Sequence, residues 1–246
     1  NPNGFFMMVE GGKIDWACHA NDAVASIRDT IAFDDAVRVA LDFYKKHQDE
    51  TLVVVLADHE TGGMSIGFAG TQYDTFFSKL RFQKGSYLAF DAFLAEYKKA
   101  HQTETAKFDD IAAKITEFFG FRFLSDEKLV DLESKAKGGD SAAAQELELA
   151  VKPREMKELR SAFEQTMKGA KERSSDEETY LLYGEYEPLT ISLTHILNRK
   201  AGIGWTTYAH TGVPVPVSAI GVGQETFNGY YDNTDVHAKM KAAMGL

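Results

Sequence analysis

Carboxylate and imidazole side chains suited to metal binding occur in three separate segments of this chain. Asp15 and His19 stand four positions apart, a spacing that can place both side chains on one face of a helical turn. Asp58 and His59 are adjacent, and His210 lies in a third segment. Imidazole nitrogen mixed with carboxylate oxygen suits zinc, particularly a catalytic zinc that keeps one position open. These residue types therefore predict a zinc centre.

Each of these residues taken singly has a simpler explanation. An Asp-x-x-x-His pair on a helix is more often a surface hydrogen bond than a ligand pair, and a lone histidine near a loop is usually a loop residue. Cys18 is expected to be a small packing residue. We expect the other histidines to be solvated or packed within helices: His47, His101, His195 and His237.

The segments around these residues predict an α/β fold. Residues 5–9 are continuously apolar and end at a glycine turn, which predicts a buried strand with Glu10 at its end. A second apolar run would deliver Asp58 and His59 in the same way. Strands are predicted at 52–56, 64–68 and 215–220, and helices at 34–47 and 235–244. Such alternation favours a mainly parallel sheet flanked by helices, with ligands at the carboxyl ends of the strands.

The long middle of the chain has a different pattern. Apolar residues recur at helical spacing around 88–97, 108–119 and 156–167, and Pro153 suits the first turn of a helix. We therefore expect a core formed by residues 1–70 and 205–246, and a long, mostly helical insertion over residues 71–204. A joint is expected within the insertion at 135–140. Two roles stay open for the insertion: it could shape substrate access, or it could form a homodimer contact.

Composition excludes several classes of function. A formal net charge of -10 and a pI near 5.2 argue against a nucleic-acid partner, because nucleic-acid-binding proteins usually present a basic face. No apolar run approaches the roughly 20 residues that span a bilayer, so no membrane insertion is expected. Cys18 is the only cysteine, which excludes an intrachain disulfide and leaves the compartment open.

Three ordered motifs and the last helix resemble the C-terminal part of the alkaline phosphatase family. The resemblance covers about residues 1–68 and 209–246, whereas the helical middle matches no motif. One departure is Trp16, where other members carry lysine or histidine. The motifs are Val9-Glu10-Gly11-Gly12-Lys13-Ile14-Asp15 with His19, then Ala57-Asp58-His59-Glu60-Thr61-Gly62-Gly63, and then His210-Thr211-Gly212.

The resemblance implies a zinc- and magnesium-dependent phosphomonoester hydrolase with an alkaline-phosphatase-like fold. It implies a phosphoserine intermediate in the full-length enzyme, a small phosphomonoester substrate, and a periplasmic or secreted location. It also assigns ligands to three ions: Asp15, His19 and His210 to a first zinc, Asp58 and His59 to a second zinc, and Glu10 to a magnesium ion.

In the family, the nucleophilic serine, another carboxylate ligand, further magnesium ligands and a phosphate-binding arginine precede the first of these motifs. We therefore expect this chain to lack the catalytic nucleophile, to be the C-terminal part of an enzyme whose N-terminal half is its partner, and to be inactive alone. Asp140-Ser141-Ala142 matches the family's nucleophile core. It follows the second motif instead of preceding the first, so a plain helix N-cap is expected there.

Two other functions stay open at this point. The chain could belong to another hydrolase of the wider metal-dependent superfamily, such as a sulfatase or phosphodiesterase. The segment His210-Thr211-Gly212 followed by Val-Pro-Val argues against this, because that form is typical of alkaline phosphatases. The chain could also be a non-catalytic zinc-binding domain.

Overall fold

Helices make up most of the regular structure in the computed structural model, which describes residues 4–101, 103, 105–169 and 176–246. The helices are α1 (Lys13–His19), α2 (Ala23–Tyr44), α3 (Tyr87–Ala100), α4 (Phe108–Phe119), α5 (Asp126–Lys137), α6 (Ser141–Leu147), α7 (Pro153–Lys168), α8 (Glu177–Tyr183), α9 (Pro188–Ala201) and α10 (Asp235–Ala243). The strands are β1 (Leu52–Val55), β2 (Glu60–Thr61), β3 (Ser65–Ile66), β4 (Ile203–Gly204), β5 (His210–Thr211) and β6 (Ser218–Gly221).

The strands form antiparallel pairs. In the described ranges β1 pairs with β6, β2 with β5 and β3 with β4. Each early strand is only two to four residues long and pairs with a segment that returns from the C-terminal part of the chain. The mainly parallel sheet expected from the sequence is therefore not confirmed.

The strand predicted at residues 5–9 is wrong. This segment has no regular structure, and its five apolar side chains are 58–77% exposed. A strand requires a neighbour that completes its backbone hydrogen bonds, and no described segment pairs with it. Glu10 consequently does not end a strand.

Helix predictions agree better with the structure. The helix predicted at 34–47 overlaps a longer α2, which ends three residues earlier, at Tyr44. Helix α2 begins after Asp22 because that side chain accepts a hydrogen bond from Ala25 N–H at 3.0 Å. Pro153 begins α7, as predicted, and the helix predicted at 235–244 is α10, which ends one residue earlier. The joint expected at 135–140 is wrong in its first part, because α5 continues to Lys137.

The main hydrophobic core lies among the helices between β3 and β4. Its largest fully buried side chains include Phe90, Phe119, Phe121, Leu159 and Leu193. The two ends of this helical region meet at the β3–β4 ladder and at a hydrogen bond of 2.7 Å from the 67 amide to the 202 carbonyl. We propose that residues 71–204 form one inserted unit, since its chain leaves and returns at the same place.

The buried carboxylate of Asp22 ties α1 and α2 to this helical region. It accepts hydrogen bonds from Gln83 Nε2 at 2.8 Å and from Tyr87 N–H at 2.8 Å, in addition to capping α2. Burial raises the pKa of Asp22, and the hydrogen bonds oppose that shift. The helices beside the candidate ligands are therefore anchored to the main core. No described helix is both long enough and apolar enough to cross a bilayer.

Candidate metal centre

Helix α1 brings the first pair of candidate ligands together. Asp15 and His19 lie one turn apart, and Asp15 Oδ1 is 3.4 Å from His19 Nε2. Their side chains are 34% and 24% exposed, so the pair is accessible without being fully solvated. The prediction that both residues occupy one face of a helical turn is confirmed.

The β2–β5 ladder brings His210 to this pair. His210 lies opposite Thr61 in the ladder. The Glu60 carboxylate supports this two-residue ladder, because it accepts hydrogen bonds from the Thr211 hydroxyl and from Gly63 N–H, the latter at 3.0 Å. Segments that are distant in the sequence are thus held together by backbone and side-chain bonds.

Gly62 allows the turn after β2 to approach the rest of the site closely. Its φ is +87°, and a Cβ atom there would lie 2.6 Å from the Trp205 ring and 2.8 Å from the Cys18 carbonyl oxygen. Its N–H donates to the Ala209 carbonyl at 2.9 Å, directly before His210. Any other residue would displace the Trp205 ring or the end of α1.

Three candidate ligand atoms converge at distances suited to one ion. His19 Nε2 lies 3.2 Å from His210 Nε2, and Asp15 Oδ1 lies 3.4 and 3.8 Å from these two nitrogens. Two nitrogens bound to one tetrahedral zinc at roughly 2.0–2.1 Å are about 3.3 Å apart. The spacing of the three atoms therefore fits a single zinc ion.

A backbone contact fixes the imidazole of His19 in the form that can bind a metal. His19 Nδ1 lies 2.5 Å from the Tyr208 carbonyl oxygen, which can only accept a hydrogen bond. Nδ1 therefore carries the proton, and Nε2 of the neutral ring presents its lone pair towards Asp15 and His210. Histidine ligands of metals are generally oriented by such an outer partner.

Thr61 links the first group of candidate ligands to the second. Its hydroxyl donates to Asp15 Oδ1 at 2.6 Å and lies 3.2 Å from His59 Nδ1. Because the single hydroxyl proton goes to Asp15, the hydroxyl oxygen accepts from His59 Nδ1–H. In the tautomer with its proton on Nδ1, His59 presents the lone pair of Nε2, which lies 3.2 Å from Asp58 Oδ2.

The two groups are contiguous. The His59 ring stacks on the His210 ring with centroids 3.5 Å apart, and ligand atoms of Asp15, His59 and His210 lie within 4.8 Å of one another. Asp58 is 80% exposed at the outer side. Two acceptor atoms, Asp15 Oδ1 and His19 Nε2, lie 3.4 Å apart beside His210, an arrangement that a bound cation would stabilise.

Glu10 and Ser141 are not part of this cluster. Glu10 is exposed and folds back over Gly12, and no hydrogen bond or ion pair joins it to the other candidate ligands within the described residues. Ser141 is the first residue of α6, which packs against α5. Asp140 caps that helix by accepting from the amides of residues 142 and 143, as predicted.

Sequence reasoning missed the residues that orient the candidate ligands. Thr61 and Tyr208 act through a hydroxyl and a backbone carbonyl, groups whose role is not evident from residue type, although each residue stands two positions from a candidate ligand. His195 was expected to pack within a helix, which is correct, but its ring also contacts Asn21 beside the site. Asn21 likewise stands two positions after His19, whereas His195 is far in sequence from each candidate ligand.

Known proteins resemble this chain in sequence and in fold. A profile of the alkaline phosphatase family matches residues 1–246. The chain is 32% identical to alkaline phosphatase 3 of Bacillus subtilis over 234 residues, which cover 95% of this chain and 38% of that protein. It is 28% identical to the repressible alkaline phosphatase of Saccharomyces cerevisiae over 242 residues, which cover 95% of this chain and 35% of that protein.

Solved structures agree with this relationship. A cold-active alkaline phosphatase from a psychrophilic Shewanella species superimposes with a TM-score of 0.66 and 28% identity, over 99% of this chain and 46% of that chain. This likeness supports an α/β, alkaline-phosphatase-like fold. The chain thus spans less than half the length of these relatives. The match along its whole length shows that the chain belongs to the alkaline phosphatase family.

Proposed function

We propose that this chain is the C-terminal, metal-binding part of a phosphomonoester hydrolase that uses zinc and magnesium. The observation that carries the proposal is the convergence of Asp15 Oδ1, His19 Nε2 and His210 Nε2 at 3.2–3.8 Å. Such a set supplies the three protein ligands of a catalytic zinc and leaves one position open. The exposure of these side chains leaves room for a substrate beside them.

The remaining candidate ligands are assigned to the other two ions. Asp58 and His59 would contribute to a second zinc, which is supported by their 3.2 Å separation and by the stacking of His59 on His210. Glu10 would contribute to magnesium, an assignment that rests on the family motif alone. When bound, a pair of such ions neutralises negative charge on a transferring phosphoryl group.

The described side chains hold these ligands in their binding forms. Thr61 keeps Asp15 and His59 in contact through one hydroxyl group, and the Tyr208 carbonyl keeps the lone pair of His19 on Nε2. A metal ion would bind these acceptor atoms in competition with protons. The site is therefore organised before a metal arrives.

We propose that the missing catalytic groups come from the N-terminal half of a longer enzyme, including the serine that would form the phosphoserine intermediate. This chain spans 38% of its Bacillus subtilis relative. A surface for such a partner is available, because residues 5–9 are 58–77% exposed and α2 exposes Ile31 (58%) and Val39 (71%). Clusters of exposed apolar side chains such as residues 5–9 often mark an interface.

The remaining features of the proposal follow the family resemblance. They are a small phosphomonoester substrate, a location in a periplasm or outside the cell, and a homodimer as a candidate assembly. A net charge of -10 does not oppose an anionic substrate, since bound metal ions can reverse the local field.

The substrate class can be tested with the full-length enzyme of which we propose this chain to be a part. With zinc and magnesium supplied, we expect kcat/KM for p-nitrophenyl phosphate to exceed the values for bis(p-nitrophenyl) phosphate and p-nitrophenyl sulfate by about 100-fold or more. The phosphomonoester dianion gains most from cationic groups around its oxygens. Preference for the sulfate or the diester would instead support the sulfatase or phosphodiesterase alternative.

A further inference from the structure

A buried asparagine connects the two segments that carry His19 and His210. Asn21 is 2% exposed and has a φ of 48°, in the left-handed region. Its Nδ2 atom donates to the carbonyl of Cys18 at 2.9 Å and to the carbonyl of Thr207 at 3.0 Å. Cys18 precedes His19 directly, and Thr207 stands three positions before His210, so one amide group holds both segments.

Helix α9 fixes the orientation of this amide. His195 Nε2 lies 3.0 Å from Asn21 Oδ1, and Asn198 Nδ2 donates to the Asn21 carbonyl oxygen at 2.7 Å. Because the amide nitrogen faces two carbonyl acceptors, the amide oxygen faces His195, and Nε2 of His195 must donate. All polar atoms of Asn21 are thereby satisfied, which is what a buried amide requires.

The state of His195 agrees with this role as a donor. Burial, and to a smaller extent the charge of Arg199, lowers the pKa of His195 to about 4. The ring is therefore neutral near neutral pH and keeps a single proton, which the contact with Asn21 assigns to Nε2.

The same imidazole supports the neighbouring orienting group. The His195 ring stacks on the Tyr208 ring with centroids 5.9 Å apart, and the Tyr208 carbonyl accepts from His19 Nδ1. The Tyr208 hydroxyl donates to the Leu182 carbonyl at 2.8 Å, which anchors its other end. His195 of α9 thus contacts both Asn21 and Tyr208, the two residues whose polar groups hold the ligand segments.

We infer that Asn21 is a positioning residue for the metal centre and that His195, from the helical insertion, is the residue that orients it. Together they hold His19 and His210 at ligand spacing before any ion binds. We call the hydrogen bonds from Asn21 Nδ2 to the carbonyls of Cys18 and Thr207 the clamp. The identity of the ion as zinc rests on the proposed function, whereas the clamp is present in the protein without metal. The insertion would then contribute to the centre although it supplies none of its candidate ligands.

The test compares matched variants of the chain. His195→Phe keeps a ring against Tyr208 and removes the donor, whereas His195→Gln restores an N–H donor. Asn21→Gly tolerates the left-handed backbone and removes the clamp. Thr194→Val is the control, because Thr194 is buried on the same helix and bonds only to the Ile191 carbonyl of its own helix among the contacts described.

The first readout is ¹⁵N NMR of the imidazoles in metal-free protein. In the parent, in His195→Gln and in Thr194→Val we expect His19 to be one Nδ1-protonated tautomer. In Asn21→Gly and His195→Phe we expect a mixture of tautomers, because the Tyr208 and His19 segments are no longer held in register. The pair of His195 variants decides the question even if Asn21→Gly does not fold.

The second readout is zinc affinity by competition with a chelating dye. Loss of an outer partner of a metal ligand typically costs about 10–100-fold in affinity, so we expect that range for His195→Phe and Asn21→Gly, with recovery in His195→Gln. If both variants lose only thermal stability while the His19 tautomer and zinc affinity stay as in the parent, Asn21 is a packing residue and the inference is wrong. A parent chain that binds no zinc would refute the proposed function, while the metal-free NMR comparison would still decide the clamp.

Discussion

Replacing His210 by alanine is expected to abolish tight zinc binding by this chain. The substitution removes one of three converging ligand atoms, and the remaining pair, Asp15 Oδ1 and His19 Nε2, leaves two protein ligands where a catalytic zinc has three. The loss of a direct ligand should exceed the ~10–100-fold cost of losing an outer partner, so we expect an increase in Kd of more than about 100-fold.

The measurement is a zinc titration of metal-free protein by calorimetry or dye competition. His237→Ala is the matched control, since it removes an exposed imidazole on α10. We expect one tight zinc per parent chain and an unchanged Kd in the control. Equal affinity in the parent and in His210→Ala would remove His210 from the centre.

The second large effect concerns catalysis. This chain alone, saturated with zinc and magnesium, should not hydrolyse p-nitrophenyl phosphate. The second ion has only Asp58 and His59 as candidate ligands, and we propose that the nucleophilic serine comes from the N-terminal half of the enzyme. Groups that act as one catalytic unit fail together when one is removed. Co-expression with the N-terminal half of the proposed enzyme should restore turnover.

Within the restored complex, Asp58→Ala should lower kcat/KM by about 10³-fold or more, because one ion loses half of its candidate ligands from this chain. Asp34→Ala is the control, as Asp34 is a similarly exposed carboxylate paired with Arg38 on α2. Ser141→Ala should also leave kcat/KM of the complex unchanged. Turnover by the isolated chain that disappears in Ser141→Ala would make Ser141 the nucleophile and contradict the proposal.

The first pair of candidate ligands could be predicted from the sequence because its geometry is local. A spacing of four residues on one short helix determines that Asp15 and His19 share a face, whatever the rest of the fold does. The N-cap at Asp140 and the start of α7 at Pro153 are local in the same sense. Such features depend on neighbouring residues and need no knowledge of tertiary packing.

The sheet could not be predicted in the same way, because a strand depends on its partner. Residues 5–9 have the composition of a buried strand, yet they are exposed and unpaired among the described residues. Strands β2 and β5 are two residues long, too short to leave a periodic signal, and their pairing spans about 150 positions. The approach of His210 to α1 was expected from the resemblance to the family and not from its own sequence.

Sequence patterns also could not predict the residues that orient the candidate ligands. Asn21 and His195 are separated by 174 positions, and neither belongs to a recognisable motif. Their pairing follows from the packing of α9 against the end of α1, which the sequence alone does not reveal. A histidine in the middle of a helix is expected to pack there, and only its partner shows that it also serves the site.

The central claim is that Asp15, His19 and His210 bind one zinc ion, and zinc X-ray absorption fine structure of the chain loaded with one equivalent tests it most directly. We expect a nitrogen and oxygen shell at roughly 2.0–2.1 Å with scattering from two imidazoles and no sulfur. Cys18 is the natural competitor, but burial raises the pKa of its thiol and its Sγ atom contacts Ser26 Oγ at 3.2 Å. A sulfur shell near 2.3 Å, or a spectrum without imidazole scattering, would contradict the account.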